Sequence, residues 1–421
     1  MPDRGAFPAG LRLAIITRSV APLHGIGGLE QHVGDLVRHM LERDVDVTLI
    51  TRSAVDQGRL AHPHLVVREV PYRTFPLAGR RGTTVLDRST AYPLFGYLAG
   101  RVAARLAADG GLDLVYGHGA SALGYAMVHR RRRHTTPPFV FNPHGLEEFG
   151  GIDGTYGGHA AKRIGYAPLR AAVRVCAGAA ERVIATDRAI EPAIIRHLGI
   201  TDQTMRLVPN AVDLRRIGHL AGPRDGERIR EYHRIARDET LLVSVGRLEH
   251  NKGFHVLADA LATMADTRWR WVLVGDGSFR PAIERRLRHA GLVDRVMLVG
   301  SLGEAALHAW YEAATLFVHP TLYEGSSIVT LEAMAHRRAV VASHAGGLPD
   351  KVRDGQTGWL VPPGDPSALA TALRRALADP TRLPEMGLAG RALVDAEFSW
   401  TAVTDRLLAV FSELLHETRS S

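Results

Sequence analysis

The sequence predicts an α/β protein made of two doubly wound parallel domains in tandem, facing a cleft. Three observations lead there. Short β-rich runs alternate with helical periodicity along nearly all of the 421 residues, which is the mark of a parallel sheet with crossover helices. One polar, arginine-rich stretch at 214–238 breaks the rhythm, which then restarts. A chain of this length is also too long for one ordinary core.

In chain order, LRLAIIT at 11–17 reads as the first strand. The turn HGIGG at 24–28 follows, and then Val33, Leu36, Val37, Met40 and Leu41 recur on one helical face. Further strands are expected at 45–51, 65–70, 113–118, 138–144, 182–187 and 205–210. The segment 214–238, with its Gly-Pro, reads as a linker and a first polar helix. Beyond it, strands are expected at 241–246, 269–277, 295–300, 314–320, 338–343 and 358–363, and 400–416 is amphipathic. The expected domains are 1–215 and 216–395, with 396–421 as a terminal helix packing back on the first. Ligands in such folds bind outside the carboxyl ends of strands, so residues just after strands are the functional candidates.

Composition narrows the class. Hydrophobic content of 46% and charged content of 23% suit a water-exposed globular protein. The single cysteine, Cys176, excludes an intramolecular disulfide and a multi-cysteine metal site. MPDRGAFPAG lacks the apolar core of a signal peptide, and no apolar run is long enough to span a bilayer. A cytoplasmic location is expected. The net charge of +8 can attract an anionic partner, but the run HRRRRH at 129–134, followed by TTPP, reads as a solvated loop before a strand in preference to a docking patch. No recognition-helix, zinc-finger or RNA-binding pattern accompanies them, so nucleic acid is not the expected partner.

Three stretches carry chemistry. In HGIGGLEQH, glycines after a strand let the backbone approach a phosphate at a helix N-terminus. Gly25 and Gly27 match the dinucleotide fingerprint only partly, because Glu30 stands at the third glycine and Thr51-Arg52, not an acid, closes the second strand. In VGRLEHNKG, Gly246 and Lys252 imitate a phosphate loop, but Asn251 and Gly253 flank the lysine where Gly and Ser/Thr are required. Only three lysines occur among 52 Lys and Arg. One of them here suggests a compact point charge where a planar fork does not fit. Arg247 and Lys252 together suit a diphosphate.

The third stretch is HPTLYEGSSIVTLEAMAHRRAVVASHAGGLPD at 319–350. Ser326 or Ser327 is expected to cap a helix over about 328–337. Glu332 leans back along that helix, so Glu324 and Glu332 can converge on a ligand at its N-terminal amides. Paired carboxylates also suit a glycosidase, but beside an anion-binding helix end they suit hydroxyl recognition better.

These motifs, the GGxE turn, VPNAVD at 208–213, the loop from Arg247 to Gly253 and the Glu324/Glu332 pair, stand in the order of the retaining glycosyltransferases of family 4 and resemble them over nearly the whole chain. Those are GT-B enzymes with two Rossmann-like domains that use nucleotide sugars. The resemblance implies that Gly27 and Gly28 approach the donor diphosphate and that Arg247 and Lys252 neutralise it. It implies that amides at Ser326, Ser327 and Ile328 hold sugar hydroxyls and phosphate. Glu324 would touch the sugar, Glu332 the ribose, and the Leu302 backbone the base. Asn210, in VPNAVD, joins the donor-binding set. His144 matches the histidine facing the transferred sugar, and His144, Glu324, Arg247 and Lys252 are the catalytic candidates. No metal is obligatory in such chemistry, and no protein nucleophile is expected, because the leaving diphosphate helps deprotonate the acceptor.

The chain departs from that pattern at EGSS (324–327), where many members read EGFG or ESFG. Asp44-Val45-Asp46 imitates a metal-binding DxD but opens a strand. His118 follows a strand and can face the acceptor or be structural. The segment 324–352 is similar to transferases that glycosylate aminocyclitols in aminoglycoside biosynthesis. That implies UDP-N-acetylglucosamine as donor and 2-deoxystreptamine or a pseudo-oligosaccharide as a small polar acceptor, with Glu147 and Glu148 as candidates for its cationic groups. The alternatives are a membrane-surface transferase acting on a lipid-linked acceptor and a non-catalytic nucleotide-sugar-binding protein.

Overall fold

The computed structural model describes residues 10–25, 28–53, 60–74, 83–150 and 164–420. The chain divides into two compact units, Met1–Pro209 with Val403–Ser421, and Asn210–Ala402. The division falls at 209/210 and 402/403 instead of 215/216 and 395/396. The reason is local pairing: the Val212 amide donates to Phe398 O at 2.9 Å, and the Trp400 amide donates to Val212 O at 3.1 Å.

The first unit carries β1 (Arg12–Ile16), β2 (Asp46–Arg52), β3 (Leu65–Val70), β4 (Leu114–His118), β5 (Phe139–Asn142), β6 (Arg182–Ala185) and β7 (Met205–Leu207). They form one sheet in the order β3-β2-β1-β4-β5-β6-β7, and the pairs are parallel. Leu13–Ile16 are fully buried. An unbroken apolar run of this kind is what a strand covered on both faces requires. The strand expected over 138–144 stops at Asn142, because Pro143 has no N–H to give the ladder. The second unit repeats the design with β8 (Thr240–Val245), β9 (Trp269–Val274), β10 (Val296–Gly300), β11 (Leu316–His319), β12 (Ala339–Ser343) and β13 (Gly358–Val361). Their order is β10-β9-β8-β11-β12-β13.

The segment read as a linker and a first polar helix holds two helices and belongs to the second unit. Helices Leu214–Leu220 and Pro223–Tyr232 form there. Asp213 starts the first by accepting from the Arg216 amide at 3.0 Å, and Gly222-Pro223 separates the two. The closing helix Trp400–Ser420 leaves the second unit and covers the first. Its Phe411 is fully buried, 5.6 Å from the Tyr116 ring, and Glu417 accepts from Arg182 at 2.6 Å.

Strand order reverses between β1 and β4 in one unit and between β8 and β11 in the other. A ligand lodges at such reversals, because the connecting helices leave to opposite faces and open a crevice.

Candidate active site

In the second unit the reversal places the loop after β8 beside the loop after β11. The two loops are stitched together: the Leu322 amide donates to Asn251 O at 2.7 Å, and Thr321 Oγ1 donates to the same oxygen at 3.0 Å. Gly253 makes the approach possible. Its φ of 67° is left-handed, and a Cβ there would lie 1.9 Å from Pro320 O. The stitched loops set Lys252 Nζ 2.8 Å from Glu324 Oε2. His319, ending β11, brings Nε2 within 2.8 Å of the same oxygen. Burial by itself would raise Glu324, but the His319 imidazole and the Lys252 ammonium override it and hold the carboxyl at about 2. Arg247 sits on the exposed side of the loop and donates to Glu249 Oε1 at 2.7 Å. The lysine is therefore the inner cation and the arginine the outer one.

The helix after Glu324 spans Ile328–Ala335. Ser327 takes the cap position, but its hydroxyl does not cap, contrary to expectation. It lies 2.9 Å from Thr330 Oγ1 instead. Backbone amides in a first helical turn lack intrahelical acceptors, and this helix spends no side chain on them. The Ser326 hydroxyl is buried without a hydrogen-bond partner. Glu332 accepts from the Tyr311 hydroxyl at 2.9 Å; burial raises its pKa against the pull of that hydrogen bond. Glu324 and Glu332 thus take separate partners. Leu302 lies just past β10 and packs against the core of this unit. Asn210 opens the second unit, half-buried.

In the first unit, adjacency of β4 and β5 pairs His118 with Asn142 in register. Asn142 Oδ1 accepts from the His144 amide at 2.9 Å, holding His144 at φ 58°. His118 Nδ1 then lies 2.9 Å from His144 Nε2. His32, on the helix Gly28–Leu41 after β1, completes a cluster with its ring 5.8 Å from that of His144. Burial lowers all three, His32 to about 4 and His144 to about 3, and His118 well below its usual value. The cluster is neutral at neutral pH. His118 Nε2 is buried with no hydrogen-bond partner. An unmet lone pair costs less than an unmet N–H, so His118 carries its proton on Nδ1 and donates it to His144 Nε2.

Gly27 and the side chain of Glu147 lie outside the described residues; Gly28 begins its helix. In the DxD look-alike, Asp46 Oδ1 is 2.7 Å from His64 Nδ1. No group of three or more His, Cys, Asp or Glu side chains suited to a metal ion occurs among the described residues. His32, His319, Tyr311 and Asn251 were not singled out from the sequence. His319 carried a signal, since it ends a strand five residues before Glu324; the others carried none.

Two family descriptions match the chain in succession: Glycosyltransferase Family 4 over residues 26–216 and Glycosyl transferases group 1 over residues 239–379. The chain is a glycosyltransferase of the GT-B class. It is 26% identical to a D-inositol 3-phosphate glycosyltransferase of Streptomyces bingchenggensis, over 97% of this chain and 90% of that protein. It is 32% identical to an alpha-D-kanosaminyltransferase of Streptomyces kanamyceticus, over 42% of this chain and 46% of that protein. A sucrose-phosphate synthase structure from Thermosynechococcus elongatus superposes with a TM-score of 0.73 at 25% identity, covering 97% of this chain and 100% of that one.

Proposed function

We propose that the enzyme transfers N-acetylglucosamine from UDP-N-acetylglucosamine, with retention, to a hydroxyl of a small cyclitol, an aminocyclitol such as 2-deoxystreptamine or a pseudo-oligosaccharide built on it. The observation that carries the donor half is the Lys252–Glu324–His319 cluster at the β8/β11 reversal. It sets a fixed cation and an ionised carboxylate beside an uncapped helix start, the groups that a sugar diphosphate requires. In this reading Lys252 and Arg247 neutralise the diphosphate. The amides at Ser326, Ser327 and Ile328 bind its oxygens. Glu324 accepts from the sugar hydroxyls, Glu332 from the ribose, and the Leu302 backbone meets the base. Gly27, Gly28 and Asn210 complete the donor contacts, and His144 faces the transferred sugar. The leaving diphosphate supplies the base, and no metal is required.

A second acceptor reading rests on a separate observation. Arg18 lies over the Tyr92 ring at 4.8 Å and Arg52 over the Tyr72 ring at 5.8 Å. Tyr92 also donates to His118 O at 3.3 Å. Arg18, over the tyrosine that bonds His118 O, and Arg52, close enough to Arg18 for the two charges to repel, disfavour an ammonium-bearing ring and favour a phosphorylated cyclitol, in keeping with the inositol 3-phosphate for which that relative is named.

Mass spectrometry of parallel reactions separates these readings. Each contains UDP-N-acetylglucosamine with either 2-deoxystreptamine or inositol 3-phosphate, with EDTA present, and a Lys252→Ala control. A hexosamine added to 2-deoxystreptamine supports the first reading, and one added to inositol 3-phosphate supports the second. No product in either, from protein that binds UDP, rejects both acceptors.

A further inference from the structure

One corner of the first unit combines apolar exposure with positive charge. Among the described residues ten large apolar side chains are exposed, and four of them gather here: Leu94 (56%), Tyr97 (40%), Leu98 (40%) and Met127 (40%). The first three lie on the helix Thr83–Ala108, at the i, i+3, i+4 spacing of a single face. The fourth belongs to the neighbouring helix Leu123–His129.

Glycines show how the two helices align. A Cβ on Gly96 would strike Ala120 O, one on Gly100 would strike the Tyr125 amide, and one on Gly124 would strike Tyr97 O. Contacts that climb together in both helices mean that they run side by side in the same direction. A Cβ on Gly124 would also meet the Arg101 amide, so Gly124 lies between Tyr97 and Arg101, and Met127, about one turn further, falls between Arg101 and Arg105. Arg101 and Arg105 continue the exposed face of the long helix, and Arg130, Arg131 and Arg132 are exposed just past the short one. None of these five arginines forms an ion pair among the described residues. Arg133, next in line, does, to Glu181 at 2.7 Å.

We infer that this face docks the enzyme on an anionic lipid surface, with Leu94, Tyr97, Leu98 and Met127 entering the headgroup boundary and the five arginines meeting lipid phosphates. Grouped exposed apolar side chains of this kind are often interaction sites on monomers. Charge selects the occupant. Apolar groups and cations on one face complement a membrane that offers both acyl chains and negative headgroups. A second copy of this chain would instead bring arginines against arginines. Tyrosine and arginine also suit a boundary, since each has an apolar body and a polar tip. No described helix is long and apolar enough to cross a membrane, so the attachment is peripheral. The inference does not depend on which sugar or acceptor the enzyme uses.

The test is cosedimentation of the full chain with phosphatidylcholine vesicles, with and without about 30% phosphatidylglycerol, at low and at high salt. The expected result is binding to the anionic vesicles alone, lost at high salt. Binding should weaken by roughly tenfold in Leu94→Ser/Tyr97→Ser and again in Arg130→Ser/Arg131→Ser/Arg132→Ser. Both sets of changes are on exposed side chains, and thermal melts confirm that the variants fold. Three results overturn the inference: wild-type protein left in the supernatant at low salt, binding undiminished in the Leu94/Tyr97 variant, or a wild-type dimer that this variant turns into a monomer in sedimentation velocity.

Discussion

Lys252 shows how little a residue's chemistry depends on its own identity and how much on its partners. Its ammonium is part of a buried pair with Glu324, with side-chain exposures of 17% and 12%. Removing it leaves a carboxylate in the interior with His319 as its remaining support. Lys252→Ala should therefore cost the second unit about 3 kcal/mol in urea unfolding and also weaken UDP binding. Arg247→Ala removes an exposed pair with Glu249 and should cost less than about 0.5 kcal/mol while still weakening UDP binding. Equal stability losses in the two variants would show that the inner and outer cations are not distinguished as the geometry says. In the first unit, under the proposed function, His118 acts through His144 as a positioning residue. His118→Asn keeps a donor where Nδ1 stood and should retain most of kcat, whereas His118→Leu should lose it with little change in donor KM. Nitrogen chemical shifts should show the His144 proton on Nδ1 in the wild type and not in the leucine variant.

At the scale of elements, the strands do the placing. The sequence displayed all thirteen strands found among the described residues, because buried parallel strands are short apolar runs bounded by turn residues. It did not display which strands become neighbours, and that adjacency builds one cluster in each unit: β8 beside β11 joins Lys252 to Glu324, and β4 beside β5 joins His118 to His144. Caps were read less well. Ser327 has a preferred capping residue type, but Thr330 offers its hydroxyl a nearer partner. The polar stretch at 214–238 displayed one polar helix and hid the other in an expected linker, because both helices are short and solvated on one side. The closing helix gives a prediction at this scale. Phe411→Ala should destabilise the first unit by about 3 kcal/mol in thermal or urea unfolding, even though residue 411 is 201 positions beyond Asn210, where the second unit begins. A loss confined to the second unit would contradict the packing of Phe411 on Tyr116.

For the whole molecule, pH acts on the two units over different ranges. His32 and His144 titrate in the folded state at about 4 and about 3, against 6.5 in a free side chain, with burial the leading cause. Between those limits the unfolded chain binds more protons than the folded one. Stability from these groups is complete above about pH 6.5 and falls as the pH drops, by up to about 1.4 kcal/mol per pH unit for each histidine. Glu324 acts lower: its contribution is complete above its unfolded value of 4.5 and disappears as the pH falls towards about 2. Calorimetric melts from about pH 7.5 to pH 5 should lower the transition of the first unit and leave the Glu324 contribution intact. A first-unit transition that stays constant over that range would mean that the three imidazoles are not buried neutral.

The sequence by itself determined the two parallel α/β units, the loops that carry chemistry and the residue types within them. Those are consequences of local periodicity and of glycine, charge and hydroxyl chemistry, which neighbouring residues are enough to express. The tertiary structure alone decided the pairings: Lys252 with Glu324 and His319, Tyr311 with Glu332, His118 with His144, and the four apolar side chains with five arginines on one face. The polar pairs join residues separated by tens of positions, and only strand order, set by burial of the whole core, brings them within hydrogen-bond reach; the apolar side chains and arginines share a face only through the packing of two helices.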